Sequence, residues 1–411
     1  MLDRFLAQRL PQPHQRRLVL ITGARQVGKT TLALAAYPDL NYISLDEIES
    51  RAHLRELPTR AWGATVGPAI LDEVQKEPTV FEKVKFAYDR GDIDFSVLLG
   101  SSQILMLQRV RESLAGRVFV YELWPLLLSE LLAPTPLKPP LFDRFLTESG
   151  DADQLLEQEP PLLMGDAAYE HDRWLQYTLT WGGMPALLAL TDAERRDWLH
   201  SYTLTYLERD LGDLARLRDL APFRRFQRLA ALRSGQVLSY ADLARDADIS
   251  PGTARNYLRY LEISYQHFLL PPYYGNPTKR LVKSPKLYWV DVGLWREQTG
   301  IWGEVSGQVL ETFVVSECYK WVKTMRPEIS LMFYRTHAGA EVDLIIETSQ
   351  GIWGIEVKTS RQAGPGQTRN LRALGEALGD RWRGGIVLYQ GALIQRLAKN
   401  IWAVPVVRFL S

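Results

Sequence analysis

Gly23-Ala24-Arg25-Gln26-Val27-Gly28-Lys29-Thr30 places two glycines five positions apart, with lysine and threonine directly after the second. A loop that encloses a polyphosphate must turn sharply and aim successive backbone N–H groups inward, which glycine permits at little steric cost. In this pattern Lys29 reaches the β- and γ-phosphates and the Thr30 hydroxyl ligates Mg2+. The start of the following helix adds partial positive charge. The bland alternative is a chance glycine-containing turn. Against it stand the apolar strand candidate Arg17 to Thr22 before the loop and a helical segment from Lys29 after it.

A second acidic site is expected at the end of another core strand, and Ala69-Ile70-Leu71-Asp72-Glu73 supplies it. Asp72 would hold the Mg2+ shell and Glu73 would polarise the attacking water. A strand candidate at Asn41 to Leu45 falls between the two motifs, which points to the additional-strand class of P-loop ATPases. Phe95 to Leu99 and Arg117 to Tyr121 are the remaining strand candidates. The first leads into Gly100-Ser101-Ser102-Gln103, whose hydroxyls are placed to sense a γ-phosphate; for Ser102 a helix cap is the equal alternative. Arg117 is a candidate arginine finger, in cis or from a neighbouring subunit, set against an ordinary surface arginine.

Tyr240 to Arg245, then Ser250-Pro251 opening Gly252 to Glu262, reads as a helix-turn-helix, with Ser at the N-cap and Pro at the first helical position. Leu243, Ala244, Ile249, Ala254, Leu258 and Leu261 recur at helical spacing as its core. Thr253, Arg255, Asn256 and Arg259 remain on the outer side, and Lys279, Arg280, Lys283 and Lys286 fall on a following wing-like hairpin. Residues 223–290 carry eleven Lys or Arg against four Asp or Glu, about +7. This suits phosphate contacts around a helix in a DNA groove; a lid or protein-docking role is the alternative.

Ala340 to Ile346 and Ile352 to Lys358 alternate polar and apolar residues around Ser349-Gln350-Gly351, as two antiparallel strands do. A loop at Ser349-Gln350 sets Asp343 opposite Glu356; a loop at Gln350-Gly351 sets it opposite Lys358. Both registers gather Asp343, Glu356 and Lys358 on one face and put Val342, Leu344, Ile346, Trp353, Ile355 and Val357 on the other. Two carboxylates about 4 Å apart repel by roughly 4 kcal/mol at an effective dielectric constant of about 20, so the cluster calls for a cation. A divalent metal would serve, and so would an ion pair to Lys358 alone.

Residues 23–31, Leu71-Asp72-Glu73-Val74-Gln75, Gly100-Ser101-Ser102, Leu114-Ala115-Gly116-Arg117 and Leu123-Trp124-Pro125 resemble the AAA+ ATPases of the AAA_14 type found in prokaryotes. Gly182-Gly183-Met184-Pro185, Arg209-Asp210 and Glu341 through Lys358 resemble the C-terminal module that accompanies them, which is grouped with PD-(D/E)xK nuclease folds. The resemblance covers nearly the whole chain. It implies ATP bound along Gly23 to Thr31, with Ser101 or Ser102 where AAA+ proteins usually carry Asn. It further implies Mg2+ or Mn2+ held by Asp343 and Glu356, with Lys358 assisting water and Glu311 matching an acidic position on the preceding helix.

The 411 residues, 46% of them hydrophobic and 24% charged, are enough for roughly two to four domains. The 49 basic residues nearly cancel the 48 acidic ones, so a role with nucleic acid needs a local patch. A single cysteine, Cys318, suits a reducing compartment. Apolar runs are broken by charge well before a membrane span, and Asp3, Arg4, Gln8 and Arg9 interrupt any export signal. The expectation is a cytoplasmic α/β protein: a P-loop ATPase core at 1–132, a loop-rich helical lid-like segment at 133–221, a winged helix-turn-helix at 222–290 and a nuclease-like α/β domain at 291–411. Its expected activity is Mg2+-dependent ATP hydrolysis coupled to DNA binding or processing, with a homo-oligomer if Arg117 acts in trans. A nucleotide-controlled signalling or defence switch with a non-cleaving scaffold is the alternative.

Overall fold

The computed structural model describes residues 2–101, 114–132, 136–215, 219–275, 280, 283–336 and 339–411, with side chains of 206–215 set aside. Ser102, Gln103 and Lys279 therefore lie outside the described residues, as do the side chains of Arg209 and Asp210.

Five parallel strands form the amino-terminal sheet: β1 (Arg17–Thr22), β2 (Asn41–Ser44), β3 (Ala69–Asp72), β4 (Phe95–Gly100) and β5 (Val118–Glu122), in the order β2-β3-β4-β1-β5. The central strands are apolar throughout because both faces are covered. Val19, Ile21, Val97 and Leu99 face one core, which includes Leu32 and Ala33 of helix α1 (Lys29–Ala36). Leu18, Leu20, Leu71 and Leu98 face the other, against Phe81 and Val84 of α2 (Thr79–Arg90). Strand β4 stands between β1 and β3, so the loop after β1 and the acidic end of β3 share one edge of the sheet, separated by one strand.

Helices α3 (Gly165–Trp181) and α4 (Asp192–Ala215) follow. Next come α5 (Ala221–Leu232), β6 (Gln236–Val237), α6 (Tyr240–Ala247), α7 (Pro251–Ile263), β7 (His267–Leu270) and β8 (Lys286–Trp289), whose strands pair antiparallel in the order β6-β8-β7. Ser250 caps α7 by accepting from the Thr253 N–H, with Pro251 at its first position. Leu243, Ala244, Ala254, Leu258 and Leu261 are buried, and Ile249 packs at the margin.

After α8 (Val292–Thr299) and α9 (Gly307–Met325), strands β9 (Ser330–Arg335), β10 (Glu341–Thr348), β11 (Gly351–Lys358), β12 (Trp382–Tyr389), β13 (Gln395–Ala398) and β14 (Ile401–Pro405) form a six-stranded sheet, with α10 (Arg369–Leu378) between β11 and β12 in sequence. The order is β13-β14-β12-β11-β10-β9, antiparallel from β9 to β11 and parallel from β11 through β12 to β14. Thr348 pairs with Gly351, so the turn is Ser349-Gln350 and the first of the two expected registers holds. The expected apolar face does not. A bulge between Val342 and Ile345 sends both, with Ile352, into the core under α10, while Leu344, Ile346, Trp353 and Ile355 join the core that includes α9. Helices cover both sides of this sheet, so no face is left for polar residues alone.

One apolar cluster runs from Phe5 to Leu410 and joins all three sheets. Trp124 sets its ring edge-on against Tyr265 and Tyr319, at 5.1 and 5.5 Å between centroids, and Tyr319 stacks on Phe268. Phe5 meets Trp321 edge-on at 4.7 Å, and the Trp321 indole N–H donates to Asp143 Oδ1 at 3.0 Å. Because this ring lies in a shared core, Trp321→Ala should cost about 3–5 kcal/mol and shift the unfolding of the whole chain as a single transition in urea. An unshifted transition belonging to the amino-terminal sheet would show instead that the core is divided.

Candidate functional site

The phosphate loop leaves β1 where the backbone meets Leu123. A Cβ on Gly23 would lie 2.1 Å from the Leu123 carbonyl oxygen, so no other residue fits there. Gln26 (φ 59°) and Gly28 (φ 95°) turn the backbone into the left-handed region, an arrangement that aims N–H groups inward ahead of α1. The Lys29 ammonium, nearly buried, donates to the carbonyls of Gly23 and Ala24 at 3.1 and 2.8 Å. Thr30 Oγ1 donates to Asp72 Oδ2 at 2.6 Å, and the Glu73 N–H donates to Asp72 Oδ1 at 2.9 Å. A hydroxyl and a carboxylate so close suit a hard cation such as Mg2+. Glu73 takes a left-handed conformation (φ 54°), which a side chain adopts only when its surroundings hold it, and Gln75 donates to its carboxylate. Ser101, at the end of β4 between these strands, is buried and its hydroxyl has no partner among the described residues.

Several participants were not singled out from the sequence. Tyr42 donates to Asp72 Oδ2 at 3.0 Å from the end of the sheet. Arg4 binds the Val27 carbonyl (2.9 Å), the Trp124 carbonyl (2.6 Å) and Glu130 (3.1 Å), fastening the loop to the segment after β5. A cavity of about 410 Å3 beside the loop is lined by Arg4, Gly28, Thr31, Leu32, Pro185 and Leu188. Arg4 carries no sequence signal, because its partners lie 23 to 126 positions away; Gly28 and Thr31, in and directly after the loop, were legible.

The second constellation lies where β8, α9 and the β10–β11 hairpin meet. Asp343 accepts the Val357 N–H at 2.8 Å. Glu356 Oε2 pairs with Lys358 at 2.8 Å, while its buried Oε1 has no partner among the described residues. Glu311 accepts from Tyr288 (2.6 Å) and pairs with Lys286 (3.0 Å), which also pairs with Glu341 at 2.5 Å. Burial, and then the Glu311 carboxylate, pushes the Asp343 carboxyl up to about 7. The expected grouping of Asp343, Glu356, Lys358 and Glu311 is thus present. Among the described residues no group of three or more His, Cys, Asp or Glu is placed to hold a metal ion. Lysines already sit against Glu311, Glu341 and Glu356.

Residues 15–132 match the AAA domain family AAA_14. They form a P-loop ATPase domain. Beyond it, residues 172–304 match a domain of unknown function, DUF8612, and residues 306–409 match another, DUF4143. The chain is 29% identical to the uncharacterized proteins Rv2008c of Mycobacterium tuberculosis and Mb2031c of Mycobacterium bovis, over 97% of this chain and 82% of each relative. The Walker-type ATPase PABY2304 of Pyrococcus abyssi is 15% identical with a TM-score of 0.46, over 72% of this chain and 96% of that one. No helix among the described residues is long and apolar enough to cross a membrane.

Within the ATPase domain, Arg117 is placed away from the cradle. Leu18 pairs with Val118, so Arg117 precedes β5 at the amino edge of the sheet, whereas the loop leaves the carboxyl edge after Thr22. Five residues of strand separate them by roughly 16 Å. Its guanidinium is bidentate on Asp89, at 2.6 and 3.0 Å. A finger acting in cis is therefore corrected, and one acting in trans would first have to leave Asp89. The basic strip is corrected in part. Arg255, Asn256 and Arg259 are exposed on α7, Thr253 is half-buried beside its cap, and Lys283 is exposed. Arg280, however, pairs with Glu347 at 2.5 Å and Lys286 is buried among acids, so the C-terminal sheet consumes charge that the local count of +7 assigned to solvent.

The raised Asp343 carboxyl sets a pH dependence. Its folded pKa of about 7 lies above the unfolded value of about 3.9, so between these pH values the unfolded chain releases its proton first and stability falls as pH rises. Denaturant melts should show wild type losing stability relative to Asp343→Asn over that window and no further above it. A relative gain would contradict the assignment.

Proposed function

We propose that this chain hydrolyses Mg2+-ATP and couples its nucleotide state to engagement of DNA. The observation that carries the reading is the convergence of Lys29, Thr30, Asp72 and Glu73 at the carboxyl edge of one parallel sheet. The loop N–H groups receive the phosphates, and Lys29 exchanges its carbonyl partners for them. Thr30 and Asp72 would hold Mg2+, which supplies neutralising charge between the phosphates when bound. Glu73, positioned by its backbone and Gln75, accepts a proton from the attacking water, and the unpartnered Ser101 hydroxyl serves the γ-phosphate. The cavity beside Gly28 and Thr31 takes the rest of the nucleotide.

Coupling is supported by a hydrogen bond of 3.1 Å between Thr22, the last residue before the loop, and the Tyr265 hydroxyl. Tyr265 lies two residues beyond α7 in a left-handed conformation (φ 59°), so the base of the cradle touches the turn that ends the helix carrying Arg255 and Arg259. The order helix, strand, helix, helix, strand, strand from α5 to β8 is that of a winged helix, which supports α7 as the groove-facing element. For the C-terminal module the order α9-β9-β10-β11-α10-β12 supports the relation to PD-(D/E)xK folds. Its lysine-filled acid cluster favours the second reading there, a scaffold that binds without cutting.

Glu73→Gln should retain ATP affinity and lose turnover by about 10²-fold or more, measured by calorimetry and phosphate release. An unchanged rate would remove Glu73 as the base. DNA should raise wild-type turnover, whereas slow turnover indifferent to duplex, single-stranded and branched DNA would favour a nucleotide-controlled switch. Nicking under Mn2+ by wild type, lost in Asp343→Ala, would reinstate cleavage.

DNA affinity should fall about 10³-fold between about 50 and about 200 mM salt for roughly six phosphate contacts. The double variant Arg255→Ala, Arg259→Ala should lower the slope of log affinity against log salt by about two. An unaltered slope would place the DNA elsewhere on the chain.

A further inference from the structure

Three parallel strands of the C-terminal sheet end in one row. Lys358 of β11 pairs with Tyr389 of β12, and Tyr389 with Pro405 of β14, so the segments that follow all three strands leave the same edge. α/β sheets commonly receive ligands in the crevice outside the carboxyl ends of their parallel strands. Here that crevice is a cavity of about 440 Å3, within the range of small-molecule sites. One wall comes from the segments after the strands, with Arg361, Gln390, Gly391 and Arg408. The other is one face of α3, where Ala168, His171, Asp172, Leu175 and Gln176 recur three and four positions apart.

The strand-end wall is braced by its own hydrogen bonds. The Gln390 N–H donates to the Ser360 carbonyl at 3.1 Å, and the Tyr389 hydroxyl closes the next turn by donating to the Leu393 carbonyl at 2.6 Å and accepting the Leu393 N–H at 3.1 Å. A Cβ on Gly391 would lie 2.1 Å from the Tyr389 ring and 2.7 Å from the Arg361 carbonyl oxygen, so the loops after β11 and β12 touch there. Positive charge is left over on this wall. Arg408 has 10% of its side chain exposed, and its answering acid, Glu159, stands at 3.4 Å and also serves Arg144. Arg361 is exposed and has no partner among the described residues. Asp172 is the one acid among the described lining residues. Burial, and then the Arg408 charge, hold the His171 imidazole below its usual range, so at neutral pH it is uncharged and can donate or accept a hydrogen bond.

We propose that this cavity binds a mononucleotide, with its phosphate between Arg361 and Arg408, its base against Leu163, Leu175 and Val407, and its sugar hydroxyls donating to Asp172. Guanidinium groups suit the phosphate because each offers paired planar donors to its oxygens. The apolar side chains and the Gln176 and Gln390 amides extend the site beyond what a bare phosphate could fill, and the amides offer donors and acceptors to the edge of a base. A ligand held in this way joins α3 to the strand ends of the C-terminal sheet. The inference does not rest on ATP hydrolysis, since the phosphate loop belongs to a different sheet.

Calorimetry of the full chain with AMP, GMP, CMP and UMP, in a Lys29→Ala background that silences the phosphate loop, tests it. At least one of the nucleotides should bind in equimolar ratio, about tenfold or more tighter than inorganic phosphate or a sugar phosphate. Arg361→Glu, at an exposed position, should weaken that binding at least about tenfold, and Ala168→Trp, which fills the cavity from α3, should abolish it. If Ala168→Trp fails to fold, Arg361→Glu alone decides. Absence of binding by all of these nucleotides would overturn the proposal. So would inorganic phosphate or a sugar phosphate binding as tightly as the nucleotide, or nucleotide affinity unchanged in Arg361→Glu.

Discussion

A hydroxyl at the start of one helix must stand within a hydrogen bond of a carboxylate at the end of a strand two places away in the sheet. That contact, Thr30 to Asp72 at 2.6 Å, is possible only if β1 and β3 run parallel, end at one edge, and are spaced by a single strand. Parallel strands need long crossovers and cover on both faces, which accounts for the apolar character of β1 and β4 and for the helices packed on either side. The close approach of Gly23 to Leu123 follows from the same requirement, since the loop must leave β1 against the end of β5.

The apolar cluster ties this edge to the remainder of the chain. Trp124, just beyond β5, touches both the turn after α7 and the middle of α9 through Tyr265 and Tyr319. Packed interiors transmit displacement because they have few voids to absorb it. A change at the phosphate loop therefore has a short physical route, through Thr22 and Tyr265, to the helix that carries the exposed arginines. The division of the chain into modules is clear in its sheets and in two smaller cores, while one large apolar cluster crosses it.

Charge behaves in the opposite way. Within residues 223–290 the sequence is strongly basic, and the acids that oppose Arg280 and Lys286 lie across a fold boundary in α9 and β10. Electrostatic partners are set by distance in space, and a count along the chain cannot pair Lys286 with Glu311 or Arg280 with Glu347. On the outward face of α7, where Arg255 lies over the Tyr240 ring, the helical spacing alone identified Arg255, Asn256 and Arg259 as exposed.

The sequence by itself determined what local chemistry and periodicity encode. The loop from Gly23 to Thr30, the strands around it to within a residue, the capped start of α7 at Ser250-Pro251, and the Ser349-Gln350 turn all depend on neighbours a few positions apart. Tertiary structure decided what depends on long-range approach: the hold of Arg4 on the loop, the removal of Arg117 to the far edge beside Asp89, the bulge that redirects Val342, and the delivery of Lys286 into the acid cluster. The physical reason is that hydrogen-bonding patterns and apolar spacing act along the chain, whereas an ion pair or a buried contact is chosen only after the elements have packed.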